Sequence, residues 1–231
     1  MAAAQGQTET VRSVVRDGIA VGVATGAYGI SFGAVSVAAG FSVAQTCASS
    51  LLVFTGASQF ALVGVVAAGG GPLVGALSGL LLGTRNTLYG LQVAPRLGLR
   101  GWRRAAAAHL VIDESTAMTV TRSDPRLART GFFATGLAVF VLWNAATLAG
   151  ALLGDAVGDP RDYGLDAAVG AAFLGLLWPR LDTARHRLAA VLGAAVALAL
   201  VPLVPAGVPV LAAAVVALGL GLLRPRSQEA A

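Results

Sequence analysis

Lysine is absent from this 231-residue chain, cysteine occurs once, and charged residues make up only 12% of it. That charged share is about half of what a soluble domain carries. Water cannot solvate the whole exterior of a fold built from it. The single cysteine, Cys47, cannot form an internal disulfide and reads as a small packing residue. No Gly-x-x-x-x-Gly-Lys-Ser/Thr run is present, which excludes a phosphate-cradling ATPase loop of this kind. There is no His-Glu-x-x-His and no visible Ser/His/Asp set. Of the two histidines, His186 sits in a basic stretch, so His109 has too few companions for a metal site. These absences predict a protein that is not an enzyme and holds no cofactor or metal.

What fills the chain instead is hydrophobic residues, 56% of the total. From Gly18 to Thr84 there is no charged side chain at all. One membrane crossing takes roughly 20 apolar residues, so this stretch holds about three crossings, or two and a re-entrant segment. Thr130–Gly154 and Leu188–Leu223 are further uncharged runs. The net charge of +5 is carried by arginines scattered between apolar runs, with no single basic face. Nucleic acid is therefore not expected as a partner. Arginines in this pattern mark helix ends on the cytoplasmic side of a lipid bilayer.

The fold class expected is all-α: a polytopic transmembrane helical bundle of about seven membrane segments, one of them open to being broken or re-entrant. A short tail (1–17) precedes a single transmembrane unit (18–224), and another short tail (225–231) follows. The first helix is read over Gly18–Ala39 and the second over Ser42–Ala68. The third begins at Pro72, is interrupted at Gly83-Thr84-Arg85-Asn86 and resumes over Leu88–Ala94. Pro95–Arg104 reads as a basic loop. Ala105–Thr121 is either a short crossing or a re-entrant helix. Arg122–Arg129 is a second basic loop, Thr130–Gly154 a clean crossing and Tyr163–Pro179 a short span. Leu188–Leu223 holds two crossings folded at Pro202, Pro205, Gly207 and Pro209. Gly22, Gly26, Gly29 and Gly33 form two small-xxx-small pairs in the first helix, and glycines recur at spacings of four from Gly71 to Gly83 and from Gly150 to Gly158, as close helix packing in lipid requires. Positive charge places 122–129, 180–187 and the C-terminus inside and the acidic 155–162 loop outside. The first half conflicts with itself. Arg12 and Arg16 argue for an inside N-terminus, and three full crossings would then put Arg96–Arg104 outside.

Polar groups at membrane depth are costly, so they mark cavities or partner helices. Thr55, Ser58 and Gln59 lie in the second helix beside Gly56, where freed backbone and polar side chains could bind the carboxylate and amine of a zwitterion. Helix–helix hydrogen bonding explains them equally well. Arg85, beside Asn86, could pair with a substrate carboxylate or snorkel to headgroups. Asp113 and Glu114 follow His109 by four and five residues, so His109 and Asp113 would share a helical face. They suit proton relay or an ammonium group. Asn144, next to Trp143, reads as interhelical glue or a path-lining group, and Asp166 as a helix cap.

The chain resembles the AzlC family of branched-chain amino-acid permeases. The resemblance rests on Tyr28-Gly29-Ile30-Ser31-Phe32-Gly33, Phe54-Thr55-Gly56-Ala57-Ser58-Gln59-Phe60, Arg85 with Leu88-Tyr89-Gly90, and Asp113-Glu114. Trp143 with Thr147, Gly150 and Gly154 follows, then Gly164-Leu165-Asp166 before Phe173. These fall in family order over most of residues 18–180. Where the family usually reads Asn-Leu-Arg-His, this chain has Gly83-Thr84-Arg85-Asn86, so a role resting on that histidine does not carry over. The resemblance implies a large subunit that transports branched-chain amino acids, often outward. It also implies a small AzlD-type membrane partner and residence in a bacterial cytoplasmic membrane. A non-transporting membrane scaffold subunit is the alternative the small-residue stripes also suit.

Overall fold

The computed structural model describes residues 9–157, 174–175, 177–178, 181–204 and 208–222. Among these the chain is all-helical: α1 (Val11–Gly26), α2 (Tyr28–Ala38), α3 (Val43–Leu52), α4 (Gly56–Ala67), α5 (Pro72–Leu97), α6 (Gly101–Ala108), α7 (Asp113–Val120), α8 (Pro125–Val157), α9 (Ala184–Leu200) and α10 (Val208–Leu222). Two helical stretches are long and apolar enough to cross a membrane, Val11–Ala38 and Pro125–Ala156.

Those two stretches form the spine of the fold and run side by side in the same direction. Residues that a Cβ would strike show the register: Gly18 faces Thr135, Gly22 faces Ala138, Gly26 faces Leu142, and Gly33 faces Thr147. Farther along, Gly150 faces Ile30 and Gly154 faces Ala34. Glycines on both helices bring the backbones together, and dispersion between bare main chains replaces the hydrophobic drive that lipid does not supply. The start of each helix is fixed locally. Thr10 and Ser13 form a capping box for α1, and the Asp124 carboxylate accepts from the backbone N–H of Arg126 at 2.6 Å and of Leu127 at 3.2 Å, ahead of Pro125.

Two helix pairs are broken in their middles. The chain leaves α3 at Val53 and re-enters helix at Gly56; it leaves α6 at His109 and re-enters at Asp113. The two breaks touch. His109 Nε2 lies 2.9 Å from the Leu51 carbonyl, and its ring is 5.9 Å from that of Phe54 and 5.6 Å from that of Phe140 on α8. Phe140 is near the midpoint of α8, so both breaks sit halfway along the spine.

The ends of the helices sort into two groups. Arg96, at the end of α5, donates to the carbonyls of Thr119, Val120 and Arg122. Arg122 pairs with Glu9 at 2.6 Å, and a side chain at Gly98 would strike Arg129. The starts of α1, α6 and α8 and the ends of α5 and α7 therefore share one end of the bundle. Every arginine from Arg96 to Arg129 lies there with Arg12 and Arg16.

Several sequence expectations need correction. The first helix begins at Val11, not Gly18, because the Thr10 cap extends it past its charged turn. The second is two helices, not one. The third is not interrupted at 83–86: α5 runs unbroken, Thr84 Oγ1 donates back to the Leu81 carbonyl at 2.6 Å, and Ser58 packs over Gly79 and Gly83. Only Gly98–Arg100 of the 95–104 stretch lies between helices, and α8 absorbs 125–129, the larger part of the 122–129 loop. His109 and Asp113 share no helical face, because the chain is out of helix between them. Among the described residues two helix pairs are broken at mid-depth, where one broken segment is expected from the sequence. The readings of 155–162, Tyr163–Pro179 and Asp166 fall largely or wholly outside the described residues.

Candidate functional site

A cavity of about 540 Å³ lies where the two breaks meet the spine. That is in the range of small-molecule sites. Its lining is of two kinds, a polar set of Thr25, Arg85, Asp113 and Glu114 and an apolar set that includes Phe54, Phe60, Leu82, Val139 and Trp143.

The polar wall is assembled from three helices. Arg85 projects from mid-α5, and its Nη1 is 3.1 Å from Asp113 Oδ2, at the first residue of α7. Both side chains remain partly exposed to the cavity, 32% and 24%. Arg85 Nε is buried without a hydrogen bond. Glu114 accepts from Thr25 Oγ1 of α1 at a long 3.5 Å. One guanidinium thus faces two carboxyl groups, a set whose formal charge is one negative when both are ionised. α7 can begin here because Ser115 Oγ accepts from the Ile112 N–H at 3.1 Å and donates to the Leu110 carbonyl at 2.6 Å, satisfying backbone that the break releases.

Backbone donors come from α4. Thr55 lines the cavity at its N-cap, with no side chain capping that end. The first N–H groups of the helix, at Gly56 and Ala57, are the positive end of its dipole and also border the cavity.

The apolar wall is held by a residue that sequence reasoning placed among the ligands. Gln59 is fully buried. Its Nε2 donates to the carbonyls of Ser50, at 3.2 Å, and Val53, at 2.8 Å, while its Oε1 accepts from Trp143 Nε1 at 3.1 Å. Both amide hydrogens are consumed in closing the α3–α4 break, so Gln59 shapes the cavity from behind. Trp143 then stacks on Phe32 and meets Phe60 edge-on.

The remaining candidates lie elsewhere. Ser58 is buried against α5 with its hydroxyl unbonded, near Gly79 and Gly83. Asn86 lines a separate cavity of about 400 Å³ between α5 and α6. Asn144 donates to the Phe140 carbonyl at 2.8 Å within its own helix. Thr25, Phe54, Phe60, Leu82 and Val139 join the cavity without having stood out as ligands in the sequence. Apolar residues in an apolar chain carry no signal of their own, and Thr25 sits among glycines that read as packing. Among the described residues no cluster of His, Cys, Asp and Glu could hold a metal ion.

Comparison with known proteins agrees with the resemblance seen in the sequence. The AzlC protein family matches residues 20–157, the stretch that holds the spine, both breaks and most of the cavity. An uncharacterized membrane protein of Archaeoglobus fulgidus is 34% identical over 172 residues, which cover 73% of this chain and 74% of that protein. No solved structure matches the chain significantly.

Proposed function

Because the chain belongs to the AzlC family, a membrane protein family associated with transport, we propose that it carries small apolar amino acids, the branched-chain ones first, across the cytoplasmic membrane. The observation behind this reading is that one cavity at the open start of α4 is lined by both charged and aromatic–aliphatic side chains. A zwitterion with a hydrocarbon side chain needs that combination.

Each part of such a substrate has a counterpart. Its carboxylate suits the N–H groups of Gly56 and Ala57 together with the guanidinium of Arg85, the arrangement by which a broken helix receives an anion. Its ammonium suits Glu114 and Asp113, which outnumber the one arginine. Its side chain suits Phe60, Leu82, Val139 and Trp143, whose burial favours each added methylene by about 0.8 kcal/mol. Isobutyl and isopropyl groups gain from this wall; a charged side chain would be left there without a partner.

The chain is proposed as the large subunit of a secondary transporter, not an enzyme, with a small AzlD-type membrane subunit as its companion on the strength of the family resemblance. The test is flux in proteoliposomes made with this chain alone and with such a subunit, using radiolabelled valine, leucine, isoleucine, glutamate and lysine. Saturable, mutually competitive uptake of the first three is expected, with little of the last two. No saturable flux in either preparation would overturn the proposal and favour a scaffold; equal flux of all five would overturn the substrate assignment.

A further inference from the structure

The broken pairs α3–α4 and α6–α7 have a consequence for how the chain threads the bilayer. We infer that they are two re-entrant hairpins entering from opposite faces of the membrane, the first from outside and the second from inside, whose tips meet at mid-depth as the two gates of the central cavity. This rests on the membrane reading of the chain, not on the identity of its substrate.

α2 ends beside Gly154 of α8, so α3 starts at that far end. It descends past Ser50, whose hydroxyl meets Thr147 Oγ1 at 3.4 Å, to Phe54, whose ring meets that of Phe140 at 5.0 Å. α4 then packs antiparallel to α5: Gly79 faces Ser58, and Gly75 faces Leu62. From Gly83 to Gly98, α5 advances about 22 Å at 1.5 Å per residue. That distance carries it from the depth of Trp143 to that of Arg129, the arginine end. Pro72 lies about 16 Å the other way, back at the depth of Gly154. α4 must therefore return to the face α3 came from. The second pair mirrors the first. α6 leaves the arginine end after Gly98, His109 reaches the depth of Phe140, and α7 comes back past Gly131, which faces Met118.

This threading removes the charge conflict in the sequence. The basic 96–104 and 122–129 segments and Arg12 and Arg16 all fall on one side, as the positive-inside rule requires. Non-helical backbone at mid-depth is tolerated only where it is covered or lines a cavity. Here each break is both: Gln59 and Ser115 satisfy released main-chain groups, and Phe54, Thr55, Ile112 and Asp113 line the cavity. Among the described residues the side-chain hydrogen bond joining the tips, His109 to the Leu51 carbonyl, is a latch that either hairpin breaks by moving away.

Single-cysteine variants in a Cys47→Ala background test the threading with a membrane-impermeant maleimide on intact cells. Gly71→Cys, where a side chain meets open space, is expected to label from outside. Arg100→Cys is expected to label only after permeabilisation. Were both pairs full crossings, these two results would exchange, which would overturn the inference. Ser123→Cys faces inside under either threading and confirms an intact membrane. Ala57→Cys, on the cavity wall, tests the gates: a small thiol reagent should reach it from outside in cells and from inside in inverted vesicles. Labelling from one side only would remove the two-gate assignment and leave the threading standing. None of these readouts requires transport, so failure of the substrate proposal is seen separately, in flux.

Discussion

Replacing Glu114 by glutamine isolates the proposed ammonium contact. The cavity holds one guanidinium and two carboxylates, and Arg85 pairs with Asp113 at 3.1 Å. Glu114 is left with a 3.5 Å hydrogen bond to Thr25, which an amide can preserve. The substitution is thus nearly isosteric and should leave folding intact. A desolvated charge pair loses about 2 kcal/mol or more when one partner is neutralised, equal to roughly 30-fold in affinity. Valine should therefore bind Glu114→Gln at least that much more weakly, read as KM in proteoliposome flux at equal protein. The branched 2-oxo acid that matches valine in shape lacks the ammonium. It should bind wild type poorly and the variant no worse. Valine affinity within twofold of wild type in well-folded Glu114→Gln would refute the ammonium assignment.

Three further outcomes follow from the geometry. Gln59→Leu strips the Ser50 and Val53 carbonyls and the Trp143 N–H of their partner, and at about 1 kcal/mol per hydrogen bond should destabilise the protein by about 3 kcal/mol; a melting curve in detergent checks this. Gly22→Val adds a side chain whose Cβ would fall 2.6 Å from that of Ala138, and should cost about 1–3 kcal/mol by forcing α1 from α8; unchanged thermal stability would contradict the parallel spine. Val139→Phe narrows the apolar wall and should lower kcat/KM for leucine relative to alanine by about 10-fold or more, measured by competition flux.

Much of this architecture was legible in the sequence, for a physical reason. Lipid imposes uncharged runs and small-residue stripes, and both are visible without a structure: the glycines from Gly22 to Gly33 and at Gly150 and Gly154 do build the spine. Arg85, Asp113 and Glu114 stood out because an ionisable group is conspicuous in an apolar chain, and they do converge. Helix breaks were harder. Gly83-Thr84 looked like an interruption yet stays helical, because Thr84 bonds its own helix and α4 covers the glycines. Val53–Thr55 has no proline or glycine inside it, and its break is held by Gln59 from one turn away and by Trp143 on a distant helix. Gly56, read as a place where backbone could be freed, is its local mark, and α4 does begin there; the hydrogen bonds that hold the break leave none. The same applies to Gln59, whose polarity suggested a ligand and whose bonds make it a strut.

The central claim is that one cavity recognises both charges and the hydrocarbon side chain of its substrate at once. Calorimetric titration of the purified protein with valine, isobutylamine and isobutyrate tests it directly. The account predicts saturable binding of valine, with isobutylamine and isobutyrate each weaker by about 30-fold or more. Equal affinity for all three, or no binding of valine by protein that remains folded, would contradict it.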